Sequence, residues 1–256
     1  MPYSGIGSEA MDLNADLGET EGDYIELLSI VTSANVACGT HAGGGQLLVD
    51  TLRAAKEQSV RVGAHPSYPD RENFGRVSLR GAISEADLIR SITEQIELVK
   101  TEAEKLGIKL NHVKAHGALY NDAMSYEDVA ISFLAAVGSA APGLPVLGLP
   151  NSKLEALAEE QGIRFIPEGF VDRAYTNQGQ LVPRTEPGSV LDYERSLVQV
   201  REIAKEGTVT TITGNKIKLP VETLCIHADS PDAARSAKAV KDLLLQNQVP
   251  VKAFES

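Results

Sequence analysis

Short apolar runs alternate with amphipathic helical patterns along most of the chain, and this alternation limits the possible folds more than any other feature. The runs predicted as strands are residues 11–16, 34–38, 60–64, 112–115, 145–149, 163–167 and 222–226. Strands that alternate with helices pair in parallel through right-handed crossovers. About seven such units without a dinucleotide-binding half-repeat predict an α/β fold. They favour a closed β/α barrel of parallel strands over an open doubly wound sheet.

Local signals define several helices and one hairpin. Ser84, with Asp87 three residues later, resembles a capping box, and apolar residues on one face continue this helix to Leu106. The other predicted elements are helices over 23–32 and 46–58, a last helix that begins at Ser230 and Pro231, and a hairpin over 208–219 with Gly214 and Asn215 at its turn.

The composition is that of an ordinary globular protein. No repeat or linker divides the 256 residues, so we expect a single β/α-barrel domain over residues 11–256 after a loose N-terminal extension of residues 1–10. The net charge of −11 argues against non-specific nucleic-acid binding, which needs a basic surface. No apolar stretch is long enough to cross a bilayer, and the first residues do not resemble a signal peptide. We therefore expect a soluble, cytoplasmic protein with no nucleic-acid or membrane partner.

Four of the five histidines lie where a predicted strand gives way to its loop. They are His41, His65, His116 and His227. Because the carboxyl ends of parallel strands meet at one rim of a barrel, these four side chains are predicted to converge on one site. The fifth, His112, opens its strand and is expected to have a structural role.

The first predicted strand carries three polar side chains on one face, Asp12, Asn14 and Asp16. Such a face is costly to bury without partners, so the wet outer face of an edge strand is an alternative. Asp16 lies at the strand end, as the histidines do, and we favour a site role for it. Asn14 is expected to support Asp16, and Asp12 to make structural hydrogen bonds. Lys114 either binds an anion or pairs with one of these acids.

A glycine-rich turn over residues 39–45 precedes a predicted helix and can present backbone N–H groups to an anion. It lacks the lysine of a P-loop, and no dinucleotide-binding fingerprint occurs elsewhere. The turn is therefore a weak nucleotide signature but a plausible oxyanion or carboxylate site, with His41 and Gly43. Arg76 and Arg173, in loops that follow strands, supply guanidinium groups suited to carboxylate or phosphate.

Six blocks together resemble the LamB/YcsF family. They are DLNADLGE (12–19), ANVACGTHAGG (34–44), GAHPSYPDRENFGR (63–76), HVKAHGALYN (112–121), FVDRAYTNQGQLVPR (170–184) and LCIHAD (224–229). The resemblance implies a distorted (β/α) barrel of the polysaccharide-deacetylase and glycoside-hydrolase type. It also implies ATP-dependent opening of 5-oxo-L-proline to L-glutamate, with Mg²⁺ arriving with ATP and with two partner subunits, B and C. Gly44 stands where the family usually has Asp, so any role of that acid falls to Asp16 or Asp229.

For this chemistry the predicted catalytic residues are Asp16, His65 and His116, with a histidine as the general base near neutral pH. Asp16 is expected to orient a histidine or to hold the Mg²⁺. Substrate or phosphate binding is predicted for Asn14, His41, Gly43, Arg76, Lys114, Arg173 and His227.

Two other functions are compatible with the same residues. A metal-dependent amidohydrolase or deacetylase would bind a divalent ion through Asp16, His41 and His65, with His116 as a further ligand. A non-catalytic subunit would bind a small acid and regulate its partners. The sequence does not show which subunit binds the nucleotide.

Overall fold

Seven parallel strands close a barrel in the computed structural model, which describes residues 10–22, 24–227 and 233–255. In these residues the strands are β1 Asp12–Leu17, β2 Ser33–Ala37, β3 Arg61–His65, β4 Leu110–Lys114, β5 Val146–Gly148, β6 Phe165–Phe170, β7 Thr208–Thr210, β8 Lys216–Lys218 and β9 Thr223–His227. The strand β9 pairs in parallel with β1 on one side and with β6 on the other, which closes the barrel. The closed β/α barrel is therefore confirmed, and the open sheet is excluded.

Helices surround this barrel. Within the described residues they are α1 Tyr24–Leu27, α2 Gly45–Glu57, α3 Glu85–Lys105, α4 Gly117–Ser125, α5 Glu127–Ala140, α6 Lys153–Glu160, α7 Tyr193–Glu206 and α8 Ala233–Gln246. None of the helices in these ranges combines the length and apolarity needed to cross a bilayer. Most of the predicted N-terminal extension, together with Ser230 and Pro231 at the predicted start of the last helix, lies outside the described residues.

The local signals in the sequence act as expected in two elements. The Ser84 side chain accepts a hydrogen bond from the Asp87 amide and caps α3, whose buried face includes Leu88, Ile92 and Ile96. The hairpin over 208–219 is formed by the antiparallel pair β7 and β8. The predicted capping signal and hairpin are confirmed.

The predicted helix over 23–32 is too long, because α1 ends at Leu27. The Ser29 hydroxyl and amide both donate to the Glu26 carbonyl, and the next two amides both donate to the Leu27 carbonyl. Serine side chains offer the backbone such alternatives to a continuing helix. The segment therefore enters β2 through turns.

The barrel interior is polar. All six residues of β1 are buried, and β1 pairs with strands on both sides, so the edge-strand alternative is excluded. Asp12 accepts hydrogen bonds from the hydroxyls of Thr32, Ser33 and Thr223, which confirms its structural role. Burial raises the pKa of Asp12 to about 6 despite these donors. Polar groups in the interior are thus tolerated because they hydrogen-bond to one another.

His112 lies inside the barrel, in keeping with its predicted structural role. It is fully buried, and its Nε2–H donates to Asn35 Oδ1 at 2.7 Å. The ring packs over Gly63 of β3, where an added Cβ would lie 2.2 Å from His112 Nε2. Gly63 therefore provides the space that the imidazole occupies.

We predict that Gly63→Ala lowers the free energy of unfolding by about 1–3 kcal/mol or more, because the methyl group must displace a buried ring. The matched control is Gly138→Ala on the exposed side of α5, where an added Cβ meets nothing within 4 Å. This control should stabilise the protein by about 0.5–1 kcal/mol, since alanine favours a helix over glycine. Chemical denaturation measures both changes, and equal effects would contradict the steric explanation.

Candidate active site

The ammonium group of Lys114 is buried inside the barrel, near the carboxyl ends of the strands. Lys114 Nζ lies 2.8 Å from Glu168 Oε1 and 3.0 Å from Asp16 Oδ1. Burial by itself acts to lower the pKa of Lys114, but the neighbouring carboxylates, Asp16 first, raise it well above its usual value. Of the two alternatives for Lys114, the structure shows pairing with buried acids.

Asp16 stands at the floor of a cavity with each oxygen in a different environment. Its Oδ1 accepts from Lys114 Nζ and from Asn35 Nδ2, the latter at 2.8 Å. Its Oδ2 lies 3.4 Å from His65 Nε2. Burial acts to raise the pKa of Asp16, yet the charges of His65 and Lys114 hold it well below its usual value. Asp16 is therefore a carboxylate with one oxygen directed at a histidine.

His65 and His116 lie together above Asp16, with the second nitrogen of each ring fixed by a main-chain carbonyl. His65 Nδ1–H donates to the Lys114 carbonyl and His116 Nε2–H to the Phe74 carbonyl, both at 2.9 Å. The remaining nitrogens, His65 Nε2 and His116 Nδ1, are 3.1 Å apart. Glu19 Oε1 lies 3.2 Å from His116 Nδ1. The two rings and two carboxylates form one cluster.

His41 stands behind this cluster. Its ring stacks on His116 with 3.7 Å between the centroids, and its Nε2 lies 3.1 Å from Glu19 Oε1. Its Nδ1 is buried without a hydrogen-bond partner. Burial lowers the pKa of His41 to about 4, so the ring is neutral at pH 7 and donates through Nε2 to Glu19.

The cluster opens into a cavity of about 670 Å³. Among the residues predicted for the site, those lining the cavity are Asp16, His65, Arg76, Lys114, His116, Arg173 and His227. The others, Asn14, His41 and Gly43, do not line it. Asn14 lies deeper and donates to Glu168 and Thr223, while its carbonyl accepts from Asn35, which also holds Asp16. Asn14 thus reaches Asp16 through one intervening side chain.

The glycine-rich turn packs against the loop that follows β1. Gly43 has φ +66°, and a Cβ there would lie 2.2 Å from the Gly18 carbonyl oxygen. Arg71 donates to the Gly39 carbonyl at 2.7 Å and holds the turn from outside. Gly44 has φ +90°, a conformation that an Asp would adopt only with strain. Of the two acids expected to replace that Asp, Asp16 lies in the cavity, whereas Asp229 lies outside the described residues.

Three acids of the site were not predicted from the sequence. Glu19 and Glu168 contact the cluster as described above. Asp172, two residues after β6, accepts from His227 Nδ1–H at 2.8 Å. A usable signal existed for Glu19 and Asp172, because both follow strand ends as the histidines do. Glu168 gave no such signal, since it lies inside a strand.

Arg173 supports the cavity wall as well as lining it. Its guanidinium donates to the Val182 carbonyl at 2.6 Å and to the Ser189 carbonyl at 3.3 Å. These bonds hold the loop from Val182 to Ser189, whose first residues border the cavity. Arg76 lies on another wall, with its guanidinium carbon 4.9 Å from the centre of the Phe74 ring. The cavity therefore combines carboxylate, imidazole and guanidinium groups.

This arrangement is typical of β/α-barrel enzymes, which carry their active sites at the carboxyl ends of the strands. The fold and the site thus define a parallel barrel with an acid–histidine cavity. The chain belongs to the LamB/YcsF family, whose sequence model matches residues 11–256. The resemblance inferred from the six sequence blocks is confirmed.

Relatives of similar length are named as the A subunit of 5-oxoprolinase. The protein from Photorhabdus laumondii subsp. laumondii is 43% identical over 251 residues, covering 95% of this chain and 98% of that one. The protein from Nocardia farcinica is 40% identical over 249 residues, covering 95% and 99%.

Two solved structures show the same architecture. The lactam utilization protein from Thermus thermophilus has a TM-score of 0.88 at 38% identity, covering 96% of this chain and 100% of that one. A putative cellobiose-phosphate cleavage protein from Enterococcus faecalis has a TM-score of 0.55 at 14% identity, covering 94% and 95%. The second likeness concerns the fold alone.

We predict that Lys114→Met lowers the free energy of unfolding by about 3–5 kcal/mol, because two buried carboxylates lose their counter-charge. The matched control is Lys216→Met, which removes an exposed pair with Glu206 at 2.6 Å. The control should leave stability nearly unchanged, since exposed ion pairs contribute little. Urea denaturation at pH 7 measures both, and a Lys114→Met protein as stable as the control would contradict the buried ion cluster.

Proposed function

We propose that the chain belongs to an ATP-dependent 5-oxoprolinase that opens the lactam of 5-oxo-L-proline to L-glutamate, and that it acts together with partner subunits B and C. The observation that carries this proposal is the cluster of Asp16, His65 and His116 at the floor of the cavity, in a chain whose relatives are named as the A subunit of 5-oxoprolinase. An ATP-coupled reaction would use the cytoplasmic nucleotide pool, in keeping with the predicted location.

The proposed reaction needs activation of a weak electrophile, because resonance stabilises the lactam amide. Transfer of the γ-phosphoryl group of ATP to the lactam oxygen would give an imidate phosphate and ADP. Water then attacks the former carbonyl carbon, and cleavage of the carbon–nitrogen bond frees the amine and leaves γ-glutamyl phosphate. A second water hydrolyses this acyl phosphate and releases phosphate and L-glutamate. The chain carries neither a P-loop nor a dinucleotide-binding fingerprint, so we assign the binding of ATP with its Mg²⁺ to a site formed with or by the partner subunits.

The attack of water calls for a proton acceptor, and the cluster offers one. His65 Nε2 faces the cavity with Asp16 Oδ2 at 3.4 Å. A carboxylate beside an imidazole stabilises the imidazolium that forms when the ring takes a proton. His116, 3.1 Å from the same nitrogen, lies close enough to share that proton.

The substrate carboxylate and the phosphoryl oxygens need cationic partners. Lys114 is paired with two acids, so Arg76 and Arg173 are better placed to bind an anion in the cavity. His227 is oriented by Asp172 through Nδ1–H, which leaves Nε2 for the ligand. These side chains would hold the lactam over the cluster.

We predict that the isolated chain releases no glutamate from 5-oxoproline, with or without ATP, because activation of the lactam requires the nucleotide site of its partners. Addition of purified B and C subunits should restore ATP-dependent release. Coupled assays for glutamate and ADP measure the reaction. Turnover by the lone chain without ATP would contradict the proposal and favour a metal-dependent amidohydrolase.

We predict that His65→Ala and His116→Ala each abolish the reconstituted activity, and that Asp16→Asn lowers kcat by at least about a hundredfold, because the cluster loses its proton acceptor or its charge. The matched control is His112→Ala, which removes a histidine outside the cavity. It should lower the melting temperature but leave kcat of the folded protein within about threefold of wild type. A His65 or His116 variant that folds normally and retains activity would remove that residue from the mechanism.

A further inference from the structure

The hydrogen bonds of His65 and His116 determine which ring nitrogens carry protons. A carbonyl oxygen only accepts, so the bonds to the Lys114 and Phe74 carbonyls require protons on His65 Nδ1 and His116 Nε2. In neutral rings, the nitrogens that face each other at 3.1 Å, His65 Nε2 and His116 Nδ1, are therefore both lone pairs. Two lone pairs do not form a hydrogen bond. The pair needs either an extra proton or a cation between them.

Glu19 completes a set of three ligand atoms around this point. Its Oε1 lies 3.2 Å from His116 Nδ1, and one ligand atom each from Glu19, His65 and His116 lie within 4.8 Å of one another. Ligands at the usual zinc distances in a tetrahedral site are separated by about 3.3 Å. The observed separations of 3.1 and 3.2 Å are close to that edge length.

The surroundings of these groups match those of known metal ligands. Histidines that bind metals usually donate their other N–H to a backbone carbonyl or a carboxylate, which sets the orientation of the ring. Both histidines do so here, and His41 Nε2–H donates to Glu19 in the same manner.

The loop that supplies one of these carbonyls has an unusual backbone. Phe74 has φ +58°, a conformation that costs free energy in a bulky residue and that occurs preferentially at functional sites. Its carbonyl is the acceptor for His116. The next residue, Gly75, has φ +63°, and a Cβ there would lie 3.1 Å from both His41 and His116. The loop backbone is therefore strained and closely packed at the point where its carbonyl orients the His116 ring.

We propose that Glu19, His65 and His116 bind a divalent transition-metal ion of the Zn²⁺ class, with a further coordination position open to the cavity. Two imidazoles and one carboxylate suit Zn²⁺ and its neighbours, whereas Mg²⁺ prefers oxygen ligands, so this ion is distinct from the Mg²⁺ that accompanies ATP. With the ion bound, both ring lone pairs would be ligands, so the proton-accepting role proposed for His65 applies to the metal-free cluster. Binding of the ion by these three side chains does not depend on which substrate the protein uses.

Another group of potential ligands in the described residues is less suited to a metal ion. Asp16, Cys225 and His227 also offer ligand atoms within 4.8 Å of one another. However, Lys114 Nζ lies 3.0 Å from Asp16 Oδ1 and 3.1 Å from Cys225 Sγ. An ammonium group already neutralises that position.

The test is zinc binding to the purified, chelator-treated chain, measured by isothermal titration calorimetry and by metal counting after dialysis. We expect one equivalent of Zn²⁺ for wild type. Glu19→Gln should weaken binding by at least about tenfold to a hundredfold, and His116→Ala should abolish it. The matched control is His227→Gln, which alters the competing group and should bind Zn²⁺ as wild type does. Because no partner, ATP or lactam enters the experiment, its outcome is separate from that of the proposed function.

Three results would overturn the proposal: absence of saturable binding to wild type, unchanged binding in Glu19→Gln and His116→Ala, or loss of binding in His227→Gln. If a histidine variant does not fold, the ¹⁵N NMR signals of the wild-type imidazoles distinguish a bound metal ion from a shared proton. Zinc should shift the ¹⁵N resonances of His65 Nε2 and His116 Nδ1, while the other nitrogen of each ring stays protonated. A ring that remains doubly protonated in saturating zinc would show a shared proton instead.

Discussion

The buried ammonium of Lys114 is the charge on which the barrel interior depends. It joins β4, which carries it, to β1 through Asp16 and to β6 through Glu168, so a single group links three strands of the closed sheet. A charge removed from water is stable only when it is paired and its hydrogen bonds are made. The polar interior is therefore a connected network, in which Asn14 donates to the Glu168 oxygen and Asn35 to the Asp16 oxygen that Lys114 also contacts. Loss of one member leaves the others buried without partners.

The same residue also sets the geometry of the site. The Lys114 side chain holds one oxygen of Asp16, and the Lys114 carbonyl holds Nδ1 of His65. The orientation of the two groups that face the cavity thus follows from one position in β4. Stability and chemistry are coupled at Lys114, so a variant of this residue is expected to change both and has to be measured for both.

Loops complete the site around this rigid floor. The loop after β1 supplies Glu19, the loop after β3 supplies the Phe74 carbonyl, and the loop after β6 supplies Asp172. The first two loops contact His116, which follows β4, and the third contacts His227 at the end of β9. Close backbone contacts at Gly43 and Gly75 allow these loops to approach the barrel end. The strained conformation of Phe74 is maintained because the surrounding contacts outweigh its local preference.

The sequence by itself determined the parallel β/α fold and the rim at which the site forms. Strand and helix periodicities are local, and a histidine directly after a strand has only one end of the barrel to occupy, so His65, His116 and His227 were predictable. Helix α1 was overestimated because the Ser29 side chain competes locally with the helix. Only the tertiary structure decided that β9 closes the barrel and that Lys114 pairs with two acids. It also decided that Glu19 joins the two histidines, while His41 stands behind them. These outcomes rest on contacts between residues far apart in sequence, such as the 98 positions between Asp16 and Lys114. No local pattern encodes such distances, because chain closure and packing set them.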